Sequence, residues 1–249
     1  MIRTPEIAVI GGTGLADLEG IEILESKWPT TRFGETSSPL IFGKFRGREL
    51  VFLPRHGKDH HLPPHTINYR ANLYALKQAG VRSIVAMNAV GGITSKMAPQ
   101  QLCVPDQIID YTYGREHTYF DGSQDRVSHI DLTMPYHPNV RNKLIEAAAN
   151  LNMRINSGGV YGATQGPRLE TAAEINKLER DGCDIVGMTG MPEASLAREL
   201  GLEYASLSLV VNWAAGRSDE VLTLNSLKVH LDAGMVNVRE LLLAVIPIL

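Results

Sequence analysis

Short apolar runs that end in glycine pairs alternate with helical patterns along this sequence. Residues 7–10 form one such run before Gly11-Gly12, and residues 83–89 form another before Gly91-Gly92. Runs of this length are typical of strands buried on both faces, and helical patterns between them are typical of connections between parallel strands. The sequence therefore predicts an α/β fold, a single domain over residues 1–249 with a mixed, largely parallel central β-sheet flanked by helices.

Further strands and helices are predicted along the chain. The strands cover residues 40–45 and 50–53, which form a hairpin, and residues 159–164, 183–186 and 204–211. The helices cover residues 68–78, 140–151, 170–180, 193–200 and 222–245. Pro192 opens the fourth of these helices, because a proline in the first turn loses no hydrogen bond.

The charge and composition of the chain argue against several classes of protein. The formal net charge is −3 at pH 7 with Lys and Arg scattered, whereas a nucleic-acid-binding surface is usually basic. No apolar run is long enough to span a bilayer, and the N-terminus has no secretory signal pattern. The two cysteines are too few for a disulfide framework and lack metal-ligand spacing. The sequence predicts a cytoplasmic protein that binds neither nucleic acid nor a membrane.

Two segments near the N-terminus have the chemistry of an anion site. In Gly11-Gly12-Thr13-Gly14-Leu15 the glycines let backbone N–H groups face an anion and Thr13 adds a hydroxyl, although a tight turn explains the pattern equally well. In Arg55-His56-Gly57 the guanidinium offers a fork of donors and His56 offers another. Further histidines follow at positions 60, 61 and 65, but prolines among them and the lack of a helical ligand pattern favour a solvated loop over a metal site.

Three later segments have features of a ligand site. Asn88-Ala89-Val90-Gly91-Gly92 ends a buried strand, where open α/β sheets bind ligands, although a turn that needs glycine is equally consistent. Thr189 precedes a predicted helix N-terminus, which favours anions, and the neighbouring Met188 provides an apolar surface for a sugar or for the core. Asn212 ends an apolar strand, so its amide is either structural or contacts a ligand.

The order of these motifs resembles the trimeric purine nucleoside phosphorylase family, and most closely its methylthioadenosine and methylthioinosine phosphorylase branch. The resemblance extends from Ile7 to the last helix and is carried by Gly-Gly-Thr-Gly-Leu, Arg-His-Gly, Asn-Tyr-Arg-Ala-Asn, Asn-Ala-Val-Gly-Gly, Gln-Gly-Pro-Arg-Leu-Glu and Gly-Met-Thr-Gly-Met-Pro-Glu. It implies a homotrimer of α/β subunits that splits a nucleoside with inorganic phosphate. It implies no cofactor and no metal.

The resemblance also implies roles for individual residues. The positions that match or adjoin the phosphate site are Thr13, Arg55, His56, Asn88, Ala89 and Thr189. The positions that match or adjoin the nucleoside site are Met188 at the ribose, Leu169, Glu170, Asn212, Trp213 and Ala214 at the base, and Leu222 and Leu224 at the 5′ group. His129 matches a residue that reaches the neighbouring subunit's sugar pocket. Asn212 and His56 are the expected catalytic residues.

Two positions distinguish the base. Family members that take adenine nucleosides carry aspartates at the positions of Asn212 and Ala214 and a serine at the position of Glu170. Members that take 6-oxopurines carry asparagine at the position of Asn212 and glutamate at the position of Glu170. An amide can donate to N7, and a carboxylate can accept from N1–H. The apolar Leu222 and Leu224 suit a methylthio group. The predicted reaction converts 5′-methylthioinosine and phosphate to hypoxanthine and 5-methylthioribose 1-phosphate.

Other functions remain open at this point. The chain is alternatively an adenine-releasing 5′-methylthioadenosine phosphorylase that tolerates Asn212, or an inosine and guanosine phosphorylase. A related hydrolase would use water, but it would not need the anion-binding Arg55 and Thr189. A non-catalytic nucleoside-binding module would bind without turnover.

Overall fold

A β-sheet of eleven strands forms the centre of the fold in the computed structural model, which describes residues 5–11, 20–57, 59–122, 127–219 and 223–249. The strands are β1 (Ile7–Gly11), β2 (Glu22–Lys27), β3 (Leu40–Phe45), β4 (Arg48–Pro54), β5 (Ser83–Gly92), β6 (Leu102–Cys103), β7 (Gln107–Asp110), β8 (Ile155–Asn156), β9 (Val160–Ala163), β10 (Ile185–Gly187) and β11 (Glu203–Trp213). The helices are α1 (Tyr69–Gln78), α2 (Pro138–Asn150), α3 (Ala172–Arg180), α4 (Gly190–Glu199) and α5 (Leu224–Val245).

The sheet is mixed, with mostly parallel pairs at its centre. The strand order is β2-β3-β4-β1-β5-β10-β9-β7, while β11 pairs with β5 and β6, and β8 pairs with β6. Strand β1 is parallel to β4 and β5, and β11 is parallel to β5 along its whole length. The hairpin β3–β4 is antiparallel, as is the short pairing of β5 with β10. The predicted fold class is confirmed.

Successive residues of the central strands alternate between two apolar cores. Ile7 and Val9 pack in one core with α2 and α5, whereas Ala8 and Ile10 pack in the other with α1 and α4. A smaller cluster lies under α3. Because neighbouring side chains of a strand point to opposite faces, helices cover both faces of the sheet.

One edge of β5 is open in its middle. On that edge β1 pairs with residues 83–86 and β10 pairs with Gly91 and Gly92, while β11 occupies the other edge. No strand among the described residues pairs with residues 87–90 on the first edge. The N–H and C=O groups of alternate residues point to the same edge, so Met87 and Ala89 present backbone polar groups at this opening. The opening is where the candidate site lies.

The predicted elements differ from the structure mainly at their ends. Regular α4 begins at Pro192, as predicted, because the preceding Met191 is extended (φ −119°, ψ 141°). Helix α3 begins at Ala172, two residues later than predicted, since Thr171 caps it in a reciprocal capping box with Glu174. Strand β2 was not predicted, and all six of its residues are exposed, so they lack an apolar alternation. Within the described segments, none of the helices has the length and apolar character needed to cross a membrane.

Candidate active site

One cavity of about 990 Å³ lies at the open edge of β5 and extends to β11 and α5. The predicted site residues on its wall are Arg55, His56, Asn88, Ala89, Leu169, Glu170, Met188, Thr189, Asn212 and Ala214. These residues come from segments far apart in the sequence. The fold therefore brings the predicted phosphate-side and nucleoside-side residues to a single cavity.

Arg55 follows β4 and is buried as one half of an ion pair. Its Nε and Nη2 donate to Oε1 and Oε2 of Glu193 at 2.7 and 2.8 Å, and Nη1 donates to the Met87 carbonyl at the open edge of β5 at 3.1 Å. The Tyr204 hydroxyl also donates to Glu193, at 2.8 Å. One edge of the guanidinium is thus occupied by a carboxylate, and only the remaining Nη hydrogens can donate to an anion.

The charge of Arg55 is fixed by this arrangement. Burial by itself would lower the pKa of Arg55, but the charge of Glu193 and the hydrogen bonds to it raise the pKa above its ordinary value. The guanidinium therefore stays protonated at every pH at which the protein is folded.

His56 lines the cavity next to Arg55 as a neutral imidazole. Its Nδ1 lies 2.9 Å from the Leu62 carbonyl, which only accepts, so Nδ1 carries the proton and Nε2 is an acceptor. Burial, followed by the charge of Arg55, lowers the pKa of His56 to about 4. The ring stacks on His60 with 4.3 Å between centroids. His56 was expected to donate to an anion, whereas in this state its free Nε2 accepts a hydrogen bond from a P–OH group or a sugar hydroxyl.

Asn88 orients Thr189. The Thr189 hydroxyl donates to Asn88 Oδ1 at 2.8 Å, and Asn88 Nδ2 donates to Ser206 Oγ at 2.7 Å and to the Ala86 carbonyl at 3.2 Å. All three side chains are buried. Both ends of the Asn88 amide are therefore engaged within the protein, and its contribution to the cavity is to hold the hydroxyl beside the α4 N-terminus.

Ala89 is the one exposed residue of β5. Its N–H points to the same strand edge as the Met87 carbonyl, which contacts Arg55. The small side chain leaves this backbone group accessible from the cavity. A backbone donor, a buried cation and a hydroxyl thus meet at one end of the cavity, and this combination is suited to binding an oxyanion.

The cavity wall also carries a carboxylate and an amide. The Thr164 hydroxyl donates to Glu170 Oε1 at 2.6 Å, which orients that carboxylate. The register of β11 against β5 shifts between Val210 and Asn212, so Val211 and Asn212 both reach the cavity wall. Asn212 Nδ2 donates to the Trp213 carbonyl at 2.7 Å. A Cβ at Gly91 would lie 3.2 Å from Val186 Cγ1 and 3.4 Å from that nitrogen, so a larger residue would crowd Val186 first.

Helix α5 closes the cavity with an apolar face. Leu227, Leu231 and Met235 are spaced four residues apart, so they share one side of the helix, and all three line the cavity. Asp232 also lies on the wall and is exposed. The apolar surface for the 5′ group was expected at Leu222 and Leu224, and not at Leu227, Leu231 and Met235.

Several expected residues are not placed at the cavity. Trp213 ends β11 and is not among the described residues that line the cavity, and His129 is exposed and also away from its wall. Thr13 and Leu222 lie outside the described residues. Leu224 is the first residue of α5, and only its backbone is described.

Four residues that contribute to the site were not assigned roles from the sequence. They are Glu193, Tyr204, Thr164 and Arg115, and each acts through a hydrogen bond to another part of the site; only Glu193 and Arg115 have partners that are distant in the chain. Glu193 ends the Gly187–Glu193 motif, so its position was visible but its partner, 138 residues away, was not. No local pattern marks the other three.

Donors suited to an oxyanion line the same cavity as a carboxylate and an amide at the open edge of a mixed α/β sheet, and this arrangement is consistent with a nucleoside phosphorylase. The family model described as the phosphorylase superfamily matches residues 6–247. The chain belongs to this family, and it is a pentosyltransferase of the purine nucleoside phosphorylase type.

Relatives and solved structures agree with this assignment. A probable S-methyl-5′-thioinosine phosphorylase from Pseudomonas syringae is 53% identical over 96% of this chain and 97% of its own. A 6-oxopurine nucleoside phosphorylase from Pyrococcus furiosus is 42% identical over 98% of this chain and 93% of its own. The structure of methylthioadenosine phosphorylase from Schistosoma mansoni in complex with adenine is 33% identical and superposes with a TM-score of 0.92, over 98% of this chain and 91% of that one.

Inorganic phosphate is a substrate of this family and not a cofactor. In the parts of the chain described above, no cluster of three or more His, Cys, Asp or Glu side chains is arranged to hold a metal ion.

Proposed function

We propose that this protein cleaves 5′-methylthioinosine with inorganic phosphate, releasing hypoxanthine and 5-methylthioribose 1-phosphate. The broader activity, phosphorolysis of 6-oxopurine nucleosides, is supported by relatives at 39–53% identity named as S-methyl-5′-thioinosine or 6-oxopurine nucleoside phosphorylases. The observation that carries the choice of base is the presence of both Glu170 and Asn212 on the wall of the same cavity.

The hydrogen-bonding capacity of this pair favours a 6-oxopurine. Hypoxanthine has an N1–H that can donate to Glu170, whereas N1 of adenine is an acceptor and would face the carboxylate without a proton between them. A buried acceptor without a donor is costly, so the wrong base is rejected strongly. The bond from Thr164 holds Glu170 Oε1 in place. Thr164 thus supports the selection through Glu170.

The proposed mechanism places phosphate where Arg55, Ala89 and Thr189 line the cavity. Phosphate is held by Arg55 and the N–H of Ala89, with Thr13 as a further donor. The Thr189 hydroxyl donates to Asn88 Oδ1 in the free protein, and it turns its single hydrogen to the phosphate when the anion binds. Its oxygen attacks C1′ of the ribose opposite the base, the N-glycosidic bond breaks, and C1′ is inverted. The anion lies close to the positive charge that develops on the sugar in the transition state, which lowers the barrier.

Asn212 acts on the leaving base in this mechanism. Its amide N–H donates to N7 as the purine takes up the electron pair of the glycosidic bond. In the free protein one of the two Nδ2 hydrogens is bonded to the Trp213 carbonyl, and the second hydrogen is left for the substrate. The bond to N7 strengthens as the base becomes anionic.

The 5′ substituent is assigned to the apolar face of α5. Leu227, Leu231 and Met235 provide a surface on which a methylthio group loses water without leaving a polar atom unpaired. Leu222 and Leu224 precede this face and are proposed to extend it. Met188 is proposed to contact the ribose, with Gly166 close behind its side chain.

A second candidate substrate is a 6-oxopurine nucleoside with a 5′-hydroxyl, such as inosine or guanosine. The observation in its favour is Asp232, whose carboxylate lies on the same wall and can accept from a hydroxyl. The two candidates share the base and phosphate chemistry and differ only at this position.

We also propose that the protein is a homotrimer, in which His129 reaches the sugar site of a neighbouring subunit. His129 is exposed on its own chain, and Val127 and Met134, nearby in sequence, are large exposed apolar side chains. Light scattering is expected to give three times the 27.3 kDa of one chain. A monomer at catalytic concentrations would contradict the role of His129.

The experiment that tests the proposed substrate is a panel of nucleosides. Release of free base is followed from 5′-methylthioinosine, inosine and 5′-methylthioadenosine at equal phosphate concentrations. The expected order of kcat/KM has 5′-methylthioinosine first and 5′-methylthioadenosine last. Preference for inosine supports the second candidate, and preference for 5′-methylthioadenosine contradicts the assignment of Glu170 and Asn212 to a 6-oxopurine.

A further inference from the structure

Arg115 is a buried arginine behind the cavity. It lies in the loop that follows β7, and its side chain does not line the cavity itself. Its five N–H donors face six oxygen atoms. Nη1 lies 2.6 Å from the Met191 carbonyl, 2.8 Å from the Met188 carbonyl and 3.3 Å from the Tyr69 hydroxyl.

The remaining contacts of Arg115 reach a different loop. Nη2 donates to the carbonyls of Gln165 and Thr164 at 2.8 and 3.2 Å, and Nε donates to Gln165 Oε1 at 3.1 Å. This loop leads to Glu170, and the Thr164 hydroxyl is bonded to Glu170. Arg115 therefore contacts the segment that carries the proposed base-binding carboxylate.

The first group of contacts belongs to the phosphate side. Met188 and Met191 stand on either side of Thr189 and Gly190, so their carbonyls fix the backbone on both sides of the Thr189 hydroxyl. One guanidinium thus connects the segment that presents Thr189 with the segment that presents Glu170.

We propose that Arg115 is a positioning residue that holds the phosphate-binding and base-binding segments at the separation that catalysis requires. The proposal rests on the proposed function. Phosphate and nucleoside must meet with C1′ and the attacking oxygen aligned, and small displacements of either one are costly to the rate.

The chemistry of arginine explains why this residue can hold both segments. Several carbonyl oxygens converge on one point, and without a cation between them their partial negative charges would repel. Among the described residues no carboxylate pairs with Arg115, so the guanidinium charge is balanced by these carbonyl dipoles. A lysine keeps the charge but has a single nitrogen, which cannot reach both groups of acceptors.

Arg141 provides a matched control. It is also partly buried and donates to backbone carbonyls of separate segments, Pro105 at 2.8 Å and Val104 and Ser157 at 3.2 Å. It is not on the cavity wall, and its partners are not among the cavity-lining residues. Loss of Arg141 therefore reports the purely structural cost of removing such an arginine.

The test compares Arg115→Lys and Arg141→Lys with the wild-type protein by steady-state kinetics and thermal unfolding. For Arg115→Lys we expect the KM of phosphate and the KM of the nucleoside both to rise, with kcat/KM lower by on the order of 10²-fold. For Arg141→Lys we expect a lower Tm with both KM values within about twofold of wild type. If Arg115→Lys does not fold, Gln165→Leu removes the oxygen that accepts from Arg115 Nε at 3.1 Å while keeping the cation, and a smaller rise in both constants is expected; unchanged constants would overturn the proposal.

The outcomes separate this proposal from the proposed function. An active wild-type enzyme together with an Arg115→Lys variant whose KM values match those of Arg141→Lys overturns the positioning role. A rise in the KM of only one substrate also overturns it, since Arg115 would then act on one segment alone. A wild-type protein without phosphate-dependent turnover contradicts the proposed function itself.

Discussion

Arg55 and Glu193 lie 138 positions apart in the sequence and form a two-point ion pair in the interior, with N–O distances of 2.7 and 2.8 Å. Both side chains are almost completely inaccessible to solvent. The pair joins the end of β4 to the first turn of α4, the two elements that carry the candidate phosphate site. The carboxylate keeps the guanidinium charged and fixed, while the unpaired Nη hydrogens remain for substrate.

Replacing Glu193 by glutamine tests this relationship. Glu193→Gln leaves the buried charge of Arg55 without its counter-ion, so we expect the free energy of unfolding to fall by about 3–5 kcal/mol and the KM of phosphate to change. Urea denaturation measures the first effect. The control is Arg82→Gln, which breaks an ion pair with Glu203 whose arginine is 69% exposed, and for which a loss of about 0–1 kcal/mol is expected. Equal losses in the two variants would contradict the account of Arg55.

The neutral state of His56 predicts a pH dependence of stability. The pKa of His56 is lowered from 6.5 in the unfolded chain to about 4 by burial and by Arg55, so the unfolded chain binds more protons between these values. The free energy of unfolding therefore falls as the pH falls from about 6.5 to about 4. His60, whose pKa is lowered by the same two causes, acts in the same direction.

Removing the imidazole should reduce this pH dependence. His56→Gln is expected to lose less stability than the wild type between pH 7 and about pH 5, measured by urea denaturation at both values. His65→Gln, in the same loop and exposed, controls for the loss of a surface histidine. If the free energy of unfolding of His56→Gln falls between pH 7 and about pH 5 by as much as that of the wild type, His56 is not held neutral in the folded protein.

The leaving-group role of Asn212 predicts a large kinetic effect. Asn212→Ala removes the donor to N7, and we expect kcat/KM to fall by roughly 10²-fold or more. Asn225→Ala, an exposed asparagine at the start of α5, is the control and should retain wild-type kinetics. A loss of only a few-fold in Asn212→Ala would mean that the base leaves without help from this side chain.

The apolar face of α5 predicts the choice of 5′ group. Leu231→Asn places a polar amide on the cavity wall, and we expect kcat/KM for 5′-methylthioinosine to fall by about tenfold relative to inosine. Val229→Asn makes the same kind of change on the exposed side of the helix and should leave the ratio unaltered. If the ratio of kcat/KM for 5′-methylthioinosine to that for inosine is unchanged in both variants, the 5′ group binds elsewhere in the cavity.

The fold could be predicted because its central strands are apolar runs, and two of them, β1 and β5, lead into glycine pairs. The hairpin β3–β4 and the opening of α4 at Pro192 follow from local turn and helix chemistry. Strand β2 could not be predicted, because exposed edge residues need no apolar pattern. The bulge that brings both Val211 and Asn212 to the cavity depends on the pairing of β11 with β5, which no local pattern encodes.

The candidate site, like the fold, could be predicted only in part from the sequence. The residues of the glycine-rich and Arg-His-Gly motifs mark the positions of a site, and most of the described ones line one cavity. The residues that act on them, Glu193 on Arg55 and Thr164 on Glu170, are visible only when the chain is folded. The protonation of His56 likewise depends on its burial, on the nearby charge and on the Leu62 carbonyl, and the sequence shows none of these directly.

³¹P NMR during turnover of 5′-methylthioinosine shows whether phosphate itself attacks the sugar. We expect one inorganic phosphate to disappear for each hypoxanthine released and a single sugar 1-phosphate resonance to replace it. Release of hypoxanthine while the phosphate signal stays constant would show that water is the nucleophile and that the enzyme is not a phosphorylase.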